Sequence, residues 1–307
     1  MSDSAVASHR TEIAEHRRFA FGSNWRHFLS TIDEDRVRHA EDSLKDMLEV
    51  ADLHGRGFLD IGSGSGLFSL AARRLGARVY SFDCDPDSVG CTAELRRRYF
   101  CEDQHWTVQE GSILDVHFVR QLGQFDIVYS WGVLHHTGHM WEALGNAGDL
   151  VTEGGKLFVA IYNDCGSQSR RWHGIKRLYN RLPEWAHAPF ALMVSAPSDM
   201  KRIAKSVLRL RPGEYVRMWT DYATERGMSR WHDIIDWVGG FPYEYAKPEE
   251  IFDFFRSRQF TLCRMKCGNV GLGCGEFVFR KQQHRPGSQP AGVGMIATQP
   301  LFSDQHR

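Results

Sequence analysis

The chain has 307 residues, 42% hydrophobic and 25% charged, a composition that excludes fibrous and low-complexity classes and leaves room for one large or two small globular domains. Lys+Arg and Asp+Glu each number 38, so the formal net charge is zero, which argues against a dedicated nucleic-acid surface. No apolar run approaches the roughly 20 residues of a membrane span and the N-terminus lacks a signal-peptide core, so a cytoplasmic protein without a membrane or nucleic-acid partner is expected, its seven cysteines reduced and mostly buried.

In chain order, residues 1–18 are polar. Phe21, Trp25, Phe28 and Leu29 then share helical spacing, and the whole of 1–45 reads as a helical lid over the core. A helix is expected over Ile32–Leu53. From Phe58 the chain alternates strand and helix. Strands are predicted at 57–61, 78–82, 106–109, 125–130 and 156–162, with Gly154-Gly155 as the turn before the last. Helices are predicted at 66–75, 86–99, about 115–122 and 140–151. Such alternation with short connections predicts a parallel, doubly wound α/β sheet.

Residues 165–246 are too long for a loop. Trp172, Ile175, Leu178 and Tyr179, and then Ile203, Val207, Leu208 and Leu210, have helical spacing, so this segment reads as an inserted helical cap. Within it, Trp231–Val238 is an amphipathic helix ended by Gly239-Gly240. Residues 247–281 return to the core with a helix from Lys247 to about Arg258 and strands at Phe260–Lys266 and Gly275–Lys281. Residues 282–307 carry few large apolar groups and read as disordered.

The chemistry concentrates at Phe58-Leu59-Asp60-Ile61-Gly62-Ser63-Gly64-Ser65-Gly66. A short apolar strand, a tight glycine turn and a helix start form a nucleotide-binding corner, where the helix N-terminus adds amide donors and a positive dipole end. The third glycine falls one residue earlier than in the dinucleotide fingerprint, which disfavours a dehydrogenase. A second strand ends in Asp83, about twenty residues on, where an acid meets ribose hydroxyls.

Four motifs in order resemble class I S-adenosylmethionine (SAM)-dependent methyltransferases. They are Asp60–Gly66, the strand ending at Asp83, Gly111-Ser112-Ile113-Leu114-Asp115, and the run from Phe125 to His136. They cover roughly 46–164 and 247–281. The closing hairpin resembles the antiparallel end of that family's seven-stranded, mostly parallel Rossmann-like sheet. The resemblance implies SAM as cofactor, held around Asp60, Gly62, Ser63, Gly64, Gly66, Asp83, Ser112, Ile113 and Ser130. Gly62 and Gly64 are expected to let the backbone approach it. Asp115 is expected to cap the next helix.

His135 and His136 end the fourth strand, which points its carboxyl end at the ligand crevice. His136 is favoured as a general base, since many small-molecule methyltransferases of this type carry a histidine there. Its rate contribution is expected to rise with pH near 6.5. Tyr162 and Asn163 leave the fifth strand at the same edge. Arg226, Trp231, His232, Asp233 and Trp237 are the cap's candidates for the substrate wall. The R-G-M-S and D-W-x-G-G-x-P segment there is similar to bacterial methyltransferases labelled ubiquinone-biosynthesis-like. The ligand spacing is too loose for an expected metal. The expected function is methyl transfer to a small molecule, with oxygen favoured as acceptor because a histidine base then has a proton to remove, and nitrogen and carbon left open. The alternatives are a SAM-binding regulatory protein without turnover and an RNA methyltransferase. The intact Asp60, Asp83 and histidine pair argue against the first, and zero net charge and the missing N/D-P-P-Y/F motif against the second.

Overall fold

A computed structural model describes residues 32–208, 230–267 and 271–283, with isolated positions 6, 11–13, 15, 18, 19, 22 and 29 before them. The lid residues Phe21, Trp25 and Phe28, the cap residue Arg226 and the tail beyond 283 lie outside the described residues, as does the side chain of His232. The described strands are β1 (Gly57–Ile61), β2 (Arg78–Asp83), β3 (Trp106–Glu110), β4 (Phe125–Trp131), β5 (Val151–Tyr162), β6 (Phe260–Cys267) and β7 (Cys274–Lys281). They form one sheet in the order β3-β2-β1-β4-β5-β7-β6. The first five run parallel, and β7 pairs antiparallel with both β5 and β6.

Period-2 alternation in the central strands feeds two cores, one on each face. On β1, Leu59 and Ile61 enter one cluster with Val128, Leu157 and Phe279. Phe58 enters the other with Ile127, Tyr129 and Phe158. Neighbouring strands buried on both faces need helices on both sides. These are α1 (Glu34–Leu48), α2 (Leu67–Arg74), α3 (Pro86–Tyr99), α4 (Val116–Leu122), α5 (Met140–Asp149) and α9 (Pro248–Ser257). The starts of α1, α3 and α4 carry an aspartate cap, Asp33, Asp85 and Asp115. Asp85 accepts from the Asp87 amide at 2.9 Å, and Asp115 accepts from the His117 and Phe118 amides, as its position suggested.

Two local expectations need correction. Gly154-Gly155 is not a turn ahead of the fifth strand. It lies within β5, opposite the register shift between Phe125 and Ile127 on β4, with Gly154 at φ 76°. The first helix ends at Leu48 rather than Leu53, because Glu49 turns left-handed and its amide closes back on the Lys45 and Asp46 carbonyls.

The cap is helical where it is described: α6 (Ser167–Arg181), α7 (Glu184–Leu208) and α8 (Arg230–Gly239). It has its own small core of Tyr179, Ala191 and Val238, with Trp172, Ile175, Trp231 and Trp237 packed against it. Leu178, expected on the packed side, is 48% exposed, and Ile203 and Leu208 are also exposed. Among the described residues no helix is long and apolar enough to cross a membrane.

Candidate active site

The strand order reverses between β1 and β4, and ligands of open α/β sheets bind in the crevice at such a point. Two cavities lie there. One, of about 310 Å³, is lined by Gly62, Asp83, Ser112, Ile113 and Val133 among others. The other, of about 320 Å³, is lined by Asp60, Gly62, Ser63, Gly64, Asp83, Tyr129, Trp131 and His136 among others. Gly62, Asp83, Cys84, Val133, Arg18 and Thr137 belong to both walls.

Asp60 is 2% exposed at the end of β1. It accepts a 2.5 Å hydrogen bond from the Ser69 hydroxyl. Ser69 therefore has no proton left for Ser81, 2.7 Å away, so Ser81 donates to Ser69 and in turn accepts the Trp106 indole N–H at 2.9 Å. This chain fixes one carboxylate oxygen from behind. Burial, opposed by that hydrogen bond, raises the Asp60 pKa to about 7. Asp83 accepts from the Gly64 and Asp85 amides, each at 3.0 Å. Burial raises it to about 6. Two acids in one crevice, both poised near neutrality and with lone pairs to spare, suit a ligand that brings hydrogen-bond donors or a cation.

The glycine turn lines the second cavity with Gly62, Ser63 and Gly64, and its glycines also meet steric demands from within the fold. Gly62 sits at φ 76°, and a Cβ there would come within 2.4 Å of the Val133 side chain. Its freedom admits the loop after β4, and its backbone also lines both cavities. Gly66, at φ 82°, starts α2, and a Cβ there would meet the Thr92 backbone at 2.9 Å. Ser63 shares a 2.9 Å hydrogen bond with Thr92. Ser130 lines neither cavity: it is fully buried and donates to the Ile61 carbonyl at 3.0 Å, stitching β4 to β1.

The two histidines separate. Both lie in a short 3₁₀ turn, Leu134–His136. His135 is fully buried with its ring centroid 4.0 Å from that of Tyr162, and lines no cavity. It is a packing residue. His136 lines the second cavity, and its Nδ1 lies 2.6 Å from the Pro242 carbonyl. A carbonyl only accepts, so Nδ1 carries the proton and the neutral ring keeps its lone pair on Nε2. Burial, helped by the charges of Lys176 and Arg18, lowers His136 to about 3. The expected titration near 6.5 is therefore absent: the imidazole is neutral across the physiological range.

The cap residues sit behind this site. Glu244 donates its amide to the His135 carbonyl and accepts the Met140 amide at 3.0 Å, so the segment after α8 is sewn along the turn that carries His136. Trp237 packs on Trp172 and Tyr162, while Trp231 belongs to the cap's own core. Asn163 bridges to Ala246. Tyr162, Asn163, Trp231, Asp233 and Trp237 thus line none of the three cavities found around the site.

Three features were missed in the sequence. Lys176 is fully buried on α6, donates to the Trp237 carbonyl, and has its Nζ 4.4 Å and 4.9 Å from the ring centroids of Trp237 and Tyr243. Burial pulls it down to about 7. Trp131, 45% exposed at the cavity mouth, is held by a 2.9 Å bond from its indole N–H to Glu276. Before α1, Arg18 donates to the His136 and Thr137 carbonyls at 2.6 and 3.0 Å, the Phe19 amide to Phe241, and the Gly22 amide to Asp85 at 2.9 Å. Nothing in the local pattern around Arg18 or Lys176 announces partners more than sixty residues away.

The strand order, the glycine turn and the paired strand-end acids define a class I methyltransferase core of the SAM-dependent kind. The chain belongs to the methyltransferase-domain family, whose model matches residues 32–192. It is 34% identical over 112 residues to ubiquinone biosynthesis O-methyltransferase of Xanthomonas oryzae pv. oryzae (strain PXO99A), a match covering 36% of this chain and 45% of that protein. It is 25% identical over 185 residues to the protein of the same name from Coxiella burnetii (strain Dugway 5J108-111), covering 58% of this chain and 70% of that one. The chain thus spans under half the length of the Xanthomonas relative. Among solved structures, magnesium protoporphyrin IX methyltransferase from Synechocystis PCC 6803 with bound SAH is similar at 14% identity and a TM-score of 0.48, over 80% of this chain and 83% of that one.

Proposed function

We propose that this protein transfers a methyl group from SAM to an oxygen of a small molecule. The observation that carries the reading is His136. Its proton is pinned on Nδ1 by Pro242, and it shares a cavity with Asp60, Gly64 and Asp83. The site fits the methyl donor. Asp60 would receive the methionine ammonium, Asp83 the ribose hydroxyls, and Ser112 and Ile113 would flank the adenine; these residues line the two neighbouring cavities. When bound, SAM supplies an electrophilic methyl on a sulfonium.

The chain's own residues do the rest. His136 accepts the acceptor's hydroxyl and holds it for in-line attack. As the oxygen commits its lone pair to a new bond, its proton becomes strongly acidic. An imidazole lowered to about 3 is then basic enough to take it, and it is never blocked by protonation at neutral pH. Trp131, Phe68 and Phe19 give the cavity an aromatic rim, which suits an acceptor with a flat apolar body. Arg18 lines both cavities, Phe19 one of them, and Gly22 is tied to Asp85; this strap supports a lid role for the segment before α1, whereas the part of residues 1–45 from Glu34 on is a helix packed into the core.

Transfer of a labelled methyl group to matched compounds differing only in a hydroxyl, an amine or a thiol tests the oxygen assignment. The hydroxyl compound should react fastest. Faster methylation of the amine would reassign the acceptor, and binding of SAM without turnover on any acceptor would favour a regulatory protein.

A further inference from the structure

A third cavity, of about 410 Å³, lies beyond the strap. It shares Arg18 and Thr137 with the cavity of His136, so the two are neighbours. Its wall is basic. His173, Arg177 and Arg181 stand at i, i+4 and i+8 of α6 and so form one stripe of that helix. His139 and Arg18 add to the same wall from the other side. Among the described residues the single acid in the wall is Glu12, and it is already paired with Arg18 at 2.8 Å. Arg177 and Arg181 are exposed and make no ion pair among the described residues. His173 bonds the Tyr243 carbonyl through Nδ1 at 3.0 Å, leaving Nε2 uncommitted among them.

This excess is local, since the chain as a whole has zero formal charge. The methyl donor does not account for it. SAM carries no phosphate, and its one carboxylate belongs with the glycine turn, in the second cavity. Unpaired guanidiniums lining a concave site match the fork geometry of a carboxylate or a phosphate.

We propose that this cavity is the anchoring subsite of the methyl acceptor, and that the acceptor carries an acidic group, a phosphate or a carboxylate, held by Arg177 and Arg181. The assignment rests on the methyltransferase reading above. The acid lies on the far side of Arg18 and Thr137, while the reacting oxygen reaches His136. A substrate so held is bound at both ends, which fixes the reacting oxygen in place.

The test uses the full chain saturated with S-adenosylhomocysteine (SAH), at low salt, with pyrophosphate and succinate as probes in separate calorimetric titrations. The comparison is the double variant Arg177→Glu/Arg181→Glu. Both side chains are exposed, so the variant is expected to fold and to bind SAH as the wild type does. Pyrophosphate binding to the wild type, weakened about tenfold or more in the variant, supports a phosphate-bearing acceptor. The same pattern with succinate alone supports a carboxylate. No binding of either probe, or equal binding by wild type and variant, overturns the subsite. Loss of SAH binding by the wild type would instead sink the methyltransferase reading, a result separable from the anion titrations. Should the variant fail to fold, Arg177→Gln/Arg181→Gln gives the same readout with a smaller change of charge.

Discussion

The core and the cap use buried polar residues in opposite ways. In the core, Asp60 is buried and Asp83 half-buried at strand ends with a cavity on one side, and desolvation brings both close to neutrality, at about 7 and about 6. They are ready to exchange a proton for a ligand contact. In the cap, Lys176 is fully buried, but rings and the Trp237 carbonyl surround it and it lines none of the three cavities. A buried charge facing a void binds; one facing partners holds a structure together. Burial alone does not mark a site. What the group faces does.

The largest effect expected within this contrast is on chemistry. His136→Ala should slow methyl transfer by about 10²–10⁴-fold, while SAH affinity, set on the glycine-turn side, hardly changes. His135→Ala is the control: it removes a ring packed at a tilt on Tyr162 and should lower stability with no change in rate for the folded fraction. Equal rate losses in both would contradict their separation.

Next comes the cap. Lys176→Ala leaves a void among aromatic rings and deprives the Trp237 carbonyl of its donor, at a cost of about 2–4 kcal/mol. Urea unfolding measures this. An unchanged midpoint would mean that the lysine is not structural and that the contrast with Asp60 is drawn in the wrong place.

Asp83→Ala should weaken SAH binding by about 1–3 kcal/mol, as for a buried hydrogen-bonding group that is lost. Unchanged affinity would move the ribose contact to Asp85, which lines the same cavity.

The smallest effect is the pH dependence of binding. In the free protein Asp83 and Asp60 hold their protons up to about 6 and about 7. A ligand that donates to carboxylates favours the ionised forms, so binding releases protons below those values. SAH affinity should rise by about tenfold as the pH climbs through this window and level off above it. Affinity that falls over the same range would show that the ligand prefers the neutral acids. No inflection belonging to His136 should appear near 6.5, since it titrates far lower.

What the sequence made legible follows the same division. Asp60, Asp83, Ser112 and Ile113 were readable because strand, turn and acid are neighbours in the chain, and the fold carries such local order directly to the crevice. The seven strands were readable because apolar runs and glycine turns recur at short intervals. Gly62 has a second reason to be glycine that the local pattern hides: a Cβ there would strike the side chain of Val133, 71 residues away by number. Ser130 likewise carries the right position in the motif but spends its hydroxyl on the Ile61 carbonyl. Lys176 and Arg18 owe their surroundings to Trp237, Tyr243 and the His136 carbonyl, pairings that no local pattern encodes. Trp231 and Trp237 were expected on a substrate wall and pack instead within the cap. Among the described residues the cap reaches His136 through the Pro242 carbonyl, and a carbonyl leaves no trace in the identity of a side chain.

The most direct test of the central claim is calorimetry of the purified chain with SAH and with NAD in parallel. A crevice built on Asp60, the Gly62–Gly66 turn and Asp83 for SAM predicts one SAH bound per chain and no heat from NAD. NAD binding with no SAH binding would contradict it.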